Sequence, residues 1–140
     1  LCLLWVLLAG ACQAQWNLDD GITPPTSPSR ITAPKNLVIT AVGLTSPPAR
    51  IPQRECIDFK MPMDEVREYF REAREVTRGV YSHMLDWSPC FVEGTLMLPN
   101  GEKAEWAIQQ FRSGSVLLNN GESILLYCER CTAKAFPPAE

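Results

Sequence analysis

Gly94-Thr95-Leu96-Met97-Leu98-Pro99-Asn100-Gly101-Glu102 returns twenty residues on as Gly114-Ser115-Val116-Leu117-Leu118-Asn119-Asn120-Gly121-Glu122. Five of the nine positions are identical, and Thr/Ser, Leu/Val and Met/Leu are close in kind. A shared period in so short a segment reads as two copies of one hairpin. Pro99-Asn100-Gly101 suits a three-residue loop, a type I turn closed by a glycine in the left-handed region. That register sets Leu98 opposite Glu102, Leu96 opposite Ala104, Gly94 opposite Trp106 and Val92 opposite Ile108. It gathers Val92, Leu96, Leu98, Ala104, Trp106 and Ile108 on one face, with Gly94 leaving room for the indole. A two-residue Asn100-Gly101 turn would pair Leu96 with Glu105 and mix the faces, because a one-residue slip turns every side chain over. The same loop in the second copy pairs Val116 with Ile124 and Gly114 with Leu126, and it points Cys128 toward the core. Cys90 to Cys131 is therefore expected to form an antiparallel meander of two tandem hairpins.

Upstream, Pro62 to about Arg78 reads as the one clear helix. Pro62 suits a first turn, and Asp64 and Glu65 sit where the helix dipole favours anions. Met63, Val66, Phe70, Ala73, Thr77, Val80 and Met84 make an apolar stripe that packs on the sheet, with a stop or kink at Gly79. The opposite face carries Arg67, Glu68, Arg71, Glu72, Arg74 and Glu75 and reads as solvated, with Arg71 and Glu75 at ion-pair spacing. Glu55-Cys56-Ile57-Asp58-Phe59 alternates like a short strand. Ser88-Pro89 ends helical structure, so residues 81–90 connect helix to sheet, with Trp87 expected to plug one end of the core. Phe136 is expected to fold back onto it. The expected fold class is α+β: an antiparallel meander with one amphipathic helix on a face, stapled by disulfides.

The rest of the 140-residue chain frames this domain, placed at 54–136 with a tail at 137–140. Leu1 to Leu8 followed by Ala9-Gly10-Ala11 reads as the apolar and cleavage regions of a secretory signal, residues 1–14. No initiator Met or basic n-region precedes it, so the chain looks truncated at its start. Cleavage after Ala14 would leave Gln15 first. Lipidation at Cys12 is the alternative, disfavoured because Ala9 stands where a lipobox wants leucine. Residues 15–53 carry seven prolines and read as an arm or linker. Leu37 to Val42 has strand character but is favoured as a segment lying loosely on the surface. The net charge of −3 argues against a nucleic-acid partner, and no polybasic patch addresses a membrane. A membrane role arises only if Cys12 is lipidated.

Cys56, Cys90, Cys128 and Cys131 remain after soluble processing, and an exported location favours disulfides over metal ligands. A meander's first and last residues lie at the same end, so two long-range bridges are expected rather than a local Cys128–Cys131 link. Three sharper chemistries are weighed against this. A redox Cys-x-x-Cys at Cys128/Cys131 lacks a following helix to lower its thiol pKa. A zinc site of four cysteines, or three with His83, lacks a second short spacing. Cys90 as nucleophile with His83 as base and Asp86 as orienter has the residue types but no visible oxyanion hole. Glu93 and Glu105 share the solvent face as a paired-carboxylate site with no further support. No cofactor motif is found.

Asp86-Trp87-Ser88-Pro89-Cys90, with Tyr127-Cys128-Glu129-Arg130-Cys131 closing the domain, resembles a group of small exported proteins of Gram-negative bacteria. The resemblance covers roughly Cys56 to Phe136. It implies a periplasmic or secreted location and the domain limits, and it carries over no functional residue. The expected function is a non-enzymatic periplasmic or envelope binding protein whose partner is another protein. The alternatives are a periplasmic inhibitor or immunity protein against a toxin or hydrolase, and a thiol-disulfide oxidoreductase using Cys128 and Cys131.

Overall fold

The computed structural model describes residues 23–46 and 51–138. The signal segment 1–14, with Cys12, lies outside the described residues, as does the start of the arm. The elements are β1 (Lys35–Thr45), α1 (Met63–Glu72), β2 (Arg74–Glu75), α2 (Arg78–His83), β3 (Cys90–Met97), β4 (Lys103–Gln109), β5 (Ser113–Leu117) and β6 (Ser123–Tyr127). They build one six-stranded antiparallel sheet in the order β1-β3-β4-β5-β6-β2. The architecture is α+β with two short helices and two disulfides.

The centre of the sheet follows the register expected from the turns. Gly94 lies opposite Trp106 and Val92 opposite Ile108, while Val116 faces Ile124 and Gly114 faces Leu126. Both loops close alike. Leu98 N donates to Glu102 O at 2.8 Å and Gly101 N to Leu98 O at 2.9 Å; Leu118 N donates to Glu122 O at 2.9 Å and Gly121 N to Leu118 O at 3.0 Å. Gly101 and Gly121 both have φ of 85°, a conformation that costs glycine little. Asn100 and Asn120 Oδ1 each accept from the following glutamate N–H, at 2.9 Å.

The core face is the one expected: Val92, Leu96, Ala104, Trp106, Ile108, Val116, Ile124 and Leu126 are buried, while Leu98, next to the turn, is only partly buried. Fully burying a Val, Leu or Ile side chain contributes about 1.5–3 kcal/mol. Helix α1 packs on this face through Val66, Tyr69 and Phe70, with Phe70 edge-on to Trp106 at 5.9 Å. The indole N–H donates to Thr95 O at 3.0 Å, so the ring is buried with its donor satisfied. The two repeat glycines make room for aromatic rings. A Cβ on Gly94 would stand 2.6 Å from the Trp106 ring and would also run into the Val38 carbonyl of β1. A Cβ on Gly114 would stand 2.6 Å from the Tyr69 hydroxyl. Phe136 folds back as expected, against Tyr69 at 6.2 Å and Phe59 at 6.5 Å.

Five expectations are corrected. Residues 37–42 do not lie loosely: they are the middle of β1, paired with β3 through several bulges. The bulges break the alternation that marks a strand, and Gly43, with φ of 62°, lets the backbone at Cys56 and Ile57 pass close by. The sheet thus begins upstream of Arg54, within the stretch read as an arm. Residues 55–59 are a turn, not a strand, with Cys56 N and Ile57 N both donating to Gln53 O at 2.9 Å.

The helix is also shorter than its stripe. It ends at Glu72, because Ala73 is extended (ψ 146°) and Arg74–Glu75 pair with β6. β-branched Val76 and Thr77 suit this extended stretch, and the free edge of β6 gains backbone partners. Thr77 then caps α2, its side chain accepting from Val80 N at 3.3 Å. The expected Arg71–Glu75 pair does not form: Arg71 meets Glu72 at 3.1 Å, and Glu75 meets Arg30 at 3.0 Å. Helix α2 lies over the face opposite α1, where Tyr81 contacts Gln109.

Trp87 does not plug the core; it is 65% exposed. Ser88 is buried in its place. It donates to Gln110 Oε1 at 2.9 Å and accepts from Cys90 N at 3.1 Å.

Candidate functional site

The four cysteines form Cys56–Cys90 and Cys128–Cys131. The expected second long-range bridge is replaced by the local link. Cys90 opens β3 and Cys128 follows β6, at the same end of the sheet but three strands apart. Three strand spacings are about 14 Å, beyond the Cα–Cα reach of about 7 Å for a disulfide. Sharing an end of a meander is not adjacency. Cys56 reaches Cys90 because Thr45 pairs with Cys90 and Gly43 N donates to Phe59 O at 3.0 Å, holding the 53–59 turn over that end.

This pairing bears on each sharper chemistry. Cys90 is bridged and buried, while His83 closes α2 on the exposed surface and Asp86 is exposed too. Among the described residues every cysteine is bridged, so none offers His83 a free thiol. Among the described residues, no group of three or more His, Cys, Asp or Glu gathers to hold a metal ion. Glu93 and Glu105 stand on neighbouring strands, opposite Ala107 and Thr95. Cys128 and Cys131 are buried, and a turn follows them instead of a helix.

Arg112 closes the exit of the sheet. Its φ is 74°, a left-handed conformation that non-glycine residues seldom adopt. Its guanidinium donates to Pro137 O at 2.7 Å and Cys131 O at 3.3 Å, and lies 5.3 Å from the Phe136 ring. Its own carbonyl accepts from the Tyr69 hydroxyl at 2.9 Å. Burial pushes the Tyr69 phenol well above its usual range. The residue thus ties the tail to the helix and the sheet.

Two surface features stand out, and neither was assigned from sequence. The first is the end stapled by Cys56–Cys90. Trp87 projects there from a loop held on its far side by Ser88 and by Ser46 N donating to Pro89 O at 2.8 Å. Ile57, 50% exposed, adjoins the bridge, and Ile51, 57% exposed, accepts at its carbonyl from Thr45 N and Oγ1.

The second is a cavity of about 520 Å³ between residues 26–32, the α1–β2 junction and the turn after β6. Arg71, Arg74 and Arg130 line it, with Tyr127, Glu72 and Glu129. Arg74 Nε donates to Thr26 Oγ1 at 2.7 Å. Burial first, then the Glu129 charge, raises the Tyr127 phenol, keeping it a neutral hydroxyl. Sequence alone does not show this site, because Arg71 and Arg74 read as one solvated helix face. Only the break at Ala73 turns Arg74 into a strand beside Tyr127. No helix among the described residues is long and apolar enough to cross a membrane. Comparison with family models, curated proteins and solved structures finds no match to this chain.

Proposed function

We propose that the protein is a non-enzymatic binding module of an exported compartment whose partner is another protein. The observation that carries this reading is Trp87, 65% exposed on a pinned loop. An indole exposed on a held loop offers a large contact area with its backbone already ordered, and tryptophan is enriched among residues that dominate interfaces. Ile51 and Ile57 extend the apolar surface at the stapled end. Disulfides suggest an oxidising compartment. The Leu1–Leu8 run and the likeness to exported proteins support a secretory signal, with lipidation at Cys12 as the alternative. A blocking role against a toxin or hydrolase is one form this binding would take. The matched turns also support descent of the two hairpins from one duplicated unit.

The test compares immobilised wild-type and Trp87→Ala protein in extract from the same compartment. A protein retained stoichiometrically by the wild type and lost with Trp87→Ala is expected, with thermal unfolding unchanged. Identical retention by both would remove the reading.

A second reading, a thiol-disulfide oxidoreductase, is favoured by one observation: Cys128 and Cys131 are bridged to each other. Redox equilibration with glutathione decides it. A potential below about −300 mV marks a structural bridge and would sink the catalytic reading.

A further inference from the structure

We propose that the cavity lined by Arg71, Arg74 and Arg130 binds an acidic saccharide, a hydroxylated body bearing one carboxylate or phosphate group. This goes beyond protein binding at the Trp87 end and uses none of the same residues.

Charge supplies the first argument. The chain carries a net charge of −3, yet three of its thirteen basic side chains line one hollow. They come from three places: the last turn of α1, β2 and the turn after β6. Arg71 engages Glu72 through Nε only, and Arg74 engages Thr26 through Nε only. Their terminal NH2 groups have no partner among the described residues, and neither does the Arg130 side chain. Guanidinium groups crowded together repel, and an oxyanion accepting two parallel N–H bonds is their preferred relief.

The remaining lining selects what the oxyanion is attached to. Glu72 and Glu129 also face the cavity, so three arginines less two glutamates leave one positive charge. That balance suits a single anionic group and opposes polyanions. Carboxylates accept hydrogen bonds from ligand hydroxyls, while the Thr26 hydroxyl and the neutral Tyr127 hydroxyl add donors and acceptors; the Ser29 hydroxyl is engaged with Ile31. A volume of about 520 Å³ falls among small-molecule sites.

The site is also fixed in advance. The Cys128–Cys131 bridge closes the turn that presents Glu129 and Arg130. On the other wall, Ser27 and Glu75 exchange backbone hydrogen bonds at 2.8 and 2.9 Å. Holding the backbone of both walls in place before binding reduces the ordering cost.

Titration calorimetry with glucuronate, glucose 6-phosphate, inorganic phosphate and neutral glucose tests this. Saturable binding of glucuronate, glucose 6-phosphate or both is expected, and which of them binds identifies the anionic group. Glucose should bind at least about tenfold more weakly, as should either acid to Arg130→Gln or Arg74→Gln. Arg67→Gln, on α1 outside the cavity, should bind like the wild type, and so should Trp87→Ala. Arg130 lies on an exposed turn, so its variant reports binding rather than folding. The proposal is overturned if neither acid saturates in the millimolar range, or if Arg130→Gln binds like the wild type. Inorganic phosphate binding as tightly as glucose 6-phosphate would overturn the saccharide assignment.

Discussion

At one edge of the sheet β1 runs eleven residues along β3 and is joined to the core by Cys56–Cys90. At the other edge β2 covers β6 for two residues only. Arg30, Arg112 and the Cys128–Cys131 turn do the holding there. The covalent links differ in what they can contribute. Cys56–Cys90 spans 34 residues and Cys128–Cys131 spans 3. In the chain-entropy model these stabilise by about 3.8 and about 1.6 kcal/mol. The first edge is therefore braced against global unfolding, and the second is shaped locally by polar contacts. The candidate ligand cavity lies at the second edge, where a small bridge sets the geometry of one turn.

Mutations at the two edges should separate in size. Cys56→Ala with Cys90→Ala should cost about 4 kcal/mol, read from denaturant unfolding; a loss equal to that of the local pair would erase the distinction. Gly94→Ala should cost about 3 kcal/mol, because its Cβ meets the Val38 backbone of β1 as well as the Trp106 ring. Detachment of β1 should show as faster amide exchange along 35–45. Arg112→Gly keeps the left-handed backbone and deletes the clamp on Cys131, Pro137 and Phe136. A loss of about 2 kcal/mol is expected, with Phe136 becoming accessible to solvent quenching. Cys128→Ala with Cys131→Ala should cost about 1.5 kcal/mol by the same unfolding assay. Arg30→Ala should cost less than about 1 kcal/mol, because its pairs with Glu75 and Glu122 are exposed and screened by solvent. A larger effect would mean the second edge depends on that network.

The sheet's centre was legible in sequence because its signals are local. Asn-Gly turns set the loops, and Gly94 opposite Trp106 sets the register. The edges were not, because their signals come from elsewhere in the chain. β1 is bulged at three places, which destroys its alternation. Gly94 was credited to the indole alone, although its missing Cβ serves the Val38 carbonyl equally. The stripe from Met63 to Met84 keeps helical spacing across Ala73, so nothing in it reports that β6 needs a partner there. Trp87 was placed inside by its type, whereas the polar contacts of Ser88 decide which neighbour goes in. The arginine cavity draws on residues 26, 71, 74 and 130, a set with no shared spacing to read.

Among the four cysteines from Cys56 onward, each pairs with its next neighbour along the chain. A chain delivered to an oxidant N-terminus first would find Cys90 as the only later thiol available to Cys56 until some forty further residues had followed. β3 arrives with Cys90, so closing that bond coincides with the moment β1 first gains a strand to pair with. Cys128 and Cys131 then emerge together, with their two competitors already spent. Once residues 1–14 with Cys2 and Cys12 are removed, delivery in order would yield these bonds without exchange, whereas the same chain fully reduced and released from denaturant would expose four thiols to one another at once.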